Sequence, residues 1–253
     1  MKFKLSRWGG GLGVVILLVI WAIISVTWLS GLLPSPLAVV KQAADDGWSF
    51  YWPHVEQTCI EAVLGYAIGV GLALVCAMIV LLAPVAERVI LQLAVASYCI
   101  PVLAIGPILT LAFGGITPKV ALAVLLVFFT TLVGMLLGLR SSDKASLDLI
   151  TVLGGGRWSQ MTKVRLISAL PASFAALKVA APGAMIGAIL GDYLGGDIQK
   201  GIGVAMTVSQ AQLQVPRTWA LAIIAGLIAA AAYAVTGLVG KLLTPWAGTV
   251  AGE

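Results

Sequence analysis

Between Gly11 and Leu33 the chain carries no charged side chain, and long apolar stretches recur at about 55–82, 89–113, 119–139, 172–194 and 218–243. Each is long enough to cross a bilayer, because a helix rises 1.5 Å per residue and roughly 20 apolar residues span the hydrocarbon. Backbone groups inside lipid must find partners within the protein, so such stretches fold as helices. The expected fold is therefore all-α, a polytopic bundle of about six transmembrane helices. Only 10% of the residues are charged, against about 25% in soluble domains. Once the spans are counted, the 253 residues leave almost no soluble mass, and one transmembrane domain over 1–253 is expected.

The connections give the sidedness. Lys2, Lys4, Arg7, Arg88, Arg140, Lys144, Arg157, Lys163, Arg165, Lys178 and Lys241 fall on one side, and Lys41, Lys119, Lys200 and Arg217 on the other. Basic residues concentrate in cytoplasmic loops, which places both termini in the cytoplasm of a multi-pass protein. The net charge of +5 thus reflects topology and does not call for nucleic acid. The run after Arg7 is longer than a signal-peptide core and lacks a small-residue cleavage site, so a retained first span is expected. Residues 37–52, with Lys41, Asp45, Asp46 and several aromatics, suit an interfacial helix, and 201–208 is apolar but short. The third stretch is interrupted by Pro101 and Pro107. Breaks at membrane depth persist only where protein or a water-filled cavity satisfies the freed backbone. Cys59, Cys76 and Cys99 read as packing residues and His54 as interfacial. Glycines spaced by four, Gly65–Gly69, Gly134–Gly138 and Gly183–Gly187–Gly191, mark faces for close helix contact.

One segment breaks the apolar pattern. From Asp143 to Pro171 the chain is polar and basic, with Gly154, Gly155 and Gly156 at its centre. Leu147, Ile150 and Leu153 recur every three residues, as do Trp158, Met161 and Val164, so each set makes one stripe of a short helix. The glycines permit a sharp reversal between the two helices, and Pro171 marks the return into the fifth span. A hairpin with apolar stripes and fixed charges is suited to a soluble partner's groove.

This stretch resembles the cytoplasmic loop of permease subunits in binding-protein-dependent ABC importers. Their pattern is Glu-Ala-Ala, three residues, Gly, nine residues, Ile, one residue, Leu-Pro. Asp148-Leu149-Ile150 stands in the first place, Gly154 is the glycine, and Val164 and Leu166 follow, with Ile167 where the proline would be. Leu153-Gly154, Arg157-Trp158, Ala169-Leu170-Pro171, Pro34-Ser35-Pro36, Gln57-Thr58, Gly65-Tyr66, Glu87-Arg88, Ile100-Pro101, Gly106-Pro107 and Asp192-Tyr193-Leu194 are similar to the nitrate, sulfonate, taurine and pyrimidine-precursor branch. The resemblance implies that residues 141–170 form a coupling loop between spans 4 and 5. Asp148, Gly154, Arg157, Trp158, Val164 and Leu166 would seat in an ATPase subunit. It further implies two copies of that ATPase, a second permease chain, identical or homologous, and an extracellular or periplasmic solute-binding protein, in a bacterial cytoplasmic membrane. Glu61 stands where that branch often has Arg. There it disfavours anionic cargo, pairs with a cation, or is simply hydrated.

Ionisable groups are scarce within the spans, which suits a small organic cargo recognised chiefly by a separate binding protein. Glu61, Tyr98, Asp192 and Tyr193 are the candidate pathway residues. No G-x-x-x-x-G-K-[ST] phosphate loop is present, so no cofactor is expected in this chain. ATP and Mg would be bound by the partner ATPase. The competing reading is a secondary transporter or channel with a regulatory cytoplasmic loop.

Overall fold

The computed structural model describes residues 5–27, 33–194 and 199–248, with side chains from Gly11 to Ala247. Lys2, Lys4, Asp197 and the tail 249–253 lie outside it, as does the side chain of Arg7.

Every regular element among the described residues is helical, without a strand. Helix α1 (Leu5–Thr27) is tied to the next segment by a hydrogen bond from Trp21 Nε1 to the Pro34 carbonyl, 3.0 Å. Ser35 caps α2 (Pro36–Asp46), its hydroxyl accepting from the Ala38 N–H, and Pro36 fits the first turn where no N–H is needed. Gly47, at φ +71°, turns the chain into α3 (Trp48–Leu82). The interfacial helix expected over 37–52 is therefore two elements, because a positive φ breaks the ladder at that glycine.

After a 3₁₀ turn at Pro84–Ala86 come α4 (Glu87–Cys99) and α5 (Val102–Ala112), which meet at 89°. Proline forces the residue before it out of the helical region, and Ile100 is extended at ψ 122°. The expected third span is thus a bent pair. Of its two prolines only Pro101 breaks the helix, while Pro107 lies inside α5.

Helix α6 (Thr117–Arg140) leads into α7 (Lys144–Val152) and the glycine turn. The second arm differs from expectation. Helix α8 (Arg157–Gln160) runs through a π turn (Met161–Arg165) directly into α9 (Leu166–Tyr193), with Pro171 and Pro182 inside it. There is no break at Pro171, so the hairpin's second arm and the fifth span are one helical rod over 157–193. The missing proline N–H costs one ladder bond, and packing of both flanking turns against α6 holds the axis. Helices α10 (Ile202–Ala211) and α11 (Val215–Leu243) complete the bundle.

Among the described residues, helices α3, α6, α11 and the rod 157–193 are each long and apolar enough to span, and counting the bent pair as one span gives five. Of the expected first span, 11–27 lies in α1, while 28–32 lie outside the described residues. Helix α6 is the centre of the bundle, packed along α9 on one side and α3 on the other. The glycine faces explain this contact. A Cβ at Gly138 would lie 2.7 Å from the Ala169 carbonyl, one at Gly187 2.5 Å from Ala123 Cα, and one at Gly191 2.6 Å from Lys119 Cα. Gly65 and Gly69 likewise meet α6 at Ala123 and Val127, whereas Gly183 has no close neighbour. Backbones this close gain dispersion contacts that lipid cannot replace.

The charges sort to two ends. Glu87 pairs with Arg140 beside the hairpin, and Asp46 pairs with Arg217 at the opposite end. Lys178 is the exception: its ammonium lies 4.3 Å over the Tyr233 ring within the bundle.

Candidate functional site

The hairpin over 141–165 is built to hold a shape outside the bundle. Asp143 caps α7, its carboxylate accepting from both the N–H and the hydroxyl of Ser146. The far end of α7 closes in a Schellman turn, with the Gly155 N–H donating to the Ile150 carbonyl and the Gly154 N–H to Thr151. Gly154 is required by its φ of +78°. Gly155 is required by space, since a Cβ there would lie 2.8 Å from the Ile150 carbonyl, whereas Gly156 faces no neighbour at all. The Gln160 amide then clamps the arms together, donating to the Leu147 carbonyl at 3.2 Å and to Thr151 Oγ1 at 2.7 Å.

Five of the six expected coupling residues lie in this unit, and Leu166 follows it as the first residue of α9. Leu147 and Ile150 turn inward and are half-buried, while the outward edge is made by Leu149, Val152 (84% exposed) and Leu153, with Trp158 (66% exposed) across the turn. Sequence reasoning chose the stripe at Leu147 and Ile150 and missed Leu149 and Val152, whose signal is the same helical period one step out of phase. Asp148 and Arg157 are exposed beside this edge, Val164 is half-buried and Leu166 is at the surface. Under the turn a cavity of about 240 Å³ is lined by Leu82, Pro84, Arg157, Trp158, Met161 and Arg165.

At the other end of the bundle the chain buries an ion network. Lys119 Nζ, on the first turn of α6, lies 2.6 Å from Asp192 Oδ1 on α9 and 3.4 Å from Glu61 Oε1 on α3. All three side chains are almost completely buried, Lys119 at 1% exposure. Asp192 Oδ2 accepts from Thr58 Oγ1 at 2.9 Å and from the Gly203 N–H at 3.2 Å. Glu61 Oε1 also accepts from Gln57 Nε2 at 2.9 Å. The segment entering α10 is stitched on by the Ile202 N–H to Thr58 Oγ1 (2.7 Å), the Gly201 N–H to His54 Nδ1 (3.2 Å) and Lys119 Nζ to the Lys200 carbonyl (3.2 Å). Gly201, at φ +135°, lies against the Asp192 carboxylate, where a Cβ would collide.

Glu61 is thus the pairing carboxylate and not a hydrated one, and Lys119 belongs inside the bundle, not among the loop charges. Helix α3 carries a signal for this: His54, Thr58 and Glu61 are spaced by four and three on one face of an apolar helix. Their partners on α6, on α9 and after it are long-range and left no local trace. Nearby, the Arg217 guanidinium hydrogen-bonds Asp46 and holds its carboxyl below the ordinary range, against the opposing effect of burial.

Glu61 and Asp192 therefore share one network, and neither lines an open cavity. Tyr193 packs on α10, donating to Met206 S at 3.6 Å and accepting from Gln210 Nε2 at 3.3 Å. Tyr98 lies elsewhere, at the elbow between α4 and α5, 57% exposed and stacked on Phe129 with centroids 4.3 Å apart. A cavity of about 310 Å³ opens beside it, lined by Ser97, Tyr98, Cys99, Pro101, Leu125 and Leu126.

Residues 69–248 match the family model of binding-protein-dependent transport system inner membrane components. The chain belongs to that family. It is a permease subunit of an ABC importer, a multi-pass membrane protein that serves as a transport component. Three relatives show the breadth of the family around it. "Probable ABC transporter permease protein" of Haemophilus influenzae is 32% identical over 83% of this chain and 85% of its own. The formylaminopyrimidine transport permease protein ThiX of Halalkalibacterium halodurans is 31% identical over 85% and 86%. The riboflavin transport system permease protein RibX of Chloroflexus aurantiacus is 28% identical over 97% and 92%. Membership removes the alternative of a self-sufficient carrier or channel.

Proposed function

We propose that the 141–170 hairpin is the joint through which an ATPase subunit drives this permease, with Asp148, Gly154, Arg157, Trp158, Val164 and Leu166 forming or supporting it. The carrying observation is that the hairpin's second arm and the fifth span are one helix, 157–193. At 1.5 Å per residue that rod is about 55 Å long. A push at Trp158 therefore reaches Asp192 without crossing a flexible joint. The exposed edge of Leu149, Val152, Leu153 and Trp158 supplies apolar area for a groove, and Arg157 with Lys163 and Arg165 favours an acidic rim on the partner.

In this reading the hairpin end faces the cytoplasm of a bacterial cell, as do both termini, in keeping with the basic loops. Two ATPase subunits bind ATP and Mg, and this chain carries no cofactor of its own. A second permease chain, identical or homologous, completes the pathway, and a solute-binding protein delivers cargo at the end that holds the Lys119 network. The whole chain acts as one transmembrane domain.

The pathway runs past the α4–α5 elbow. Backbone groups freed at membrane depth need water or protein, and the cavity beside Tyr98 leaves room for water. The cargo is a small organic solute, the class for which two of these relatives are named.

The experiment is co-purification with the cognate ATPase. Trp158→Ala should reduce recovery of the ATPase by about tenfold, as expected for a buried aromatic anchor, while the permease itself extracts at wild-type yield. Full recovery of the ATPase by Trp158→Ala and by Val152→Asp would refute the joint.

A further inference from the structure

The elbow between α4 and α5 has a chemistry of its own. The carbonyls of Ser97, Tyr98 and Cys99 end α4, where helix carbonyls lack partners four residues on. For Ser97 that position is Pro101, which has no N–H. For Tyr98 and Cys99 it is Val102 and Leu103, which belong to the first turn of α5 beyond the 89° bend. Among the described residues, no loop or cap N–H donates to these three oxygens, and the Ser97 hydroxyl is itself spent on the Ala94 carbonyl at 2.7 Å. The three residues that carry these acceptors line the 310 Å³ cavity, and the Tyr98 ring, backed by Phe129 at a 21° interplanar angle, stands beside it. No acid, lysine, arginine or histidine lines it.

We infer that this elbow is a recognition site for a planar, uncharged nitrogen heterocycle, stacked on Tyr98 and donating ring or amino N–H groups to the α4 carbonyls. The inference rests on the reading that the elbow faces the pathway, and it adds the ligand class and the residues that select it. A stacking wall accepts any flat π face. The acceptors reject ligands without donors, because carbonyls that a ligand covers and leaves unpaired cost binding energy. The volume fits one ring with substituents. With no fixed charge to offset, an anionic aliphatic cargo would face carbonyl oxygens of the same sign of partial charge.

Cys99 is an exposed native reporter on the same cavity, and Cys59 and Cys76 are half-buried. In the assembled transporter bearing Cys59→Ala and Cys76→Ala, a membrane-impermeant thiol reagent is timed at Cys99. The probes are a formylaminopyrimidine and an aliphatic sulfonate. The pyrimidine should slow labelling by about tenfold, the scale of one ring-stacking contact, and the sulfonate should leave it unchanged. Tyr98→Phe should keep the protection and Tyr98→Leu should abolish it. Protection by the sulfonate, or full protection in Tyr98→Leu, overturns the ligand class while leaving the pathway intact. If the reagent never reaches Cys99 in the unliganded transporter in any nucleotide state, the pathway reading falls and this site falls with it.

Discussion

The two ends of this molecule invert the usual rule in opposite senses. One buries charge: Lys119, Glu61 and Asp192 pair among three helices, out of reach of the surface. The other exposes hydrocarbon: Leu149, Val152, Leu153 and Trp158 stand out from a polar hairpin. Buried charge is held in place by the penalty for separating it, so that end resists change. Exposed apolar surface is unfinished until something covers it, so that end invites a partner. The rod 157–193 joins the two, and the contrast between them can be broken from either side.

The largest effect is expected at the buried end. Lys119→Met leaves two carboxylates facing each other without a counter-ion, and breaking a buried pair costs about 3–5 kcal/mol. Most of the protein should be lost as a monodisperse peak when detergent extracts are run on a sizing column. Adding Glu61→Gln and Asp192→Asn to the same chain should recover much of it, since the penalty lies in the unpaired charge. A monodisperse single mutant would mean that the network is hydrated in the native protein.

At the hairpin the expected effects are on function more than on folding. Gly154→Val places a β-branched residue at φ +78°, a strain of about 1–2 kcal/mol confined to the turn. It should lower ATPase-coupled uptake several-fold with little change in extracted yield. Gly156→Ala is the control: its φ of −82° is ordinary and no atom crowds it, so uptake should be unchanged. Equal losses in both variants would show that the turn depends on backbone freedom and not on the Schellman geometry.

The smallest effect concerns Asp46. Its carboxyl titrates below the ordinary value in the folded protein because Arg217 hydrogen-bonds the charged form. The resulting stability is present above the unfolded value, near pH 4, and is lost as pH falls through the lower folded value. Thermal unfolding in detergent should show this acid-side decline, and Asp46→Asn should remove that component. Burial of the Asp46 side chain opposes the gain from Arg217 and offsets part of it, so the shift in Tm will be small.

The helix positions were legible because hydropathy reports local composition, and the hairpin because Asp143, the glycines and Trp158 are local signals. Pro171 misled because a proline reads as a stop, yet neighbours on α6 hold the rod through it. Lys119 misled for a related reason. Next to Pro118 at the start of a span it looks like an interfacial anchor, and only the fold brings Glu61 and Asp192 to it from 58 and 73 positions away. Glu61 was singled out in the sequence, but its cation could not be named there. At the elbow the Pro101 break was legible, whereas the stacking of Tyr98 on Phe129 was not, since nothing local links residues on α4 and α6.

The most direct measurement is site-directed cross-linking in the intact, ATPase-containing complex. A photoreactive residue is placed at Val152 or Trp158 on the hairpin and, separately, at Leu213 at the opposite end, which is also highly exposed. The expected result is a cross-link to the ATPase from both hairpin positions and none from Leu213. An ATPase cross-link at Leu213, with none at Val152 or Trp158, would contradict the drive through the hairpin.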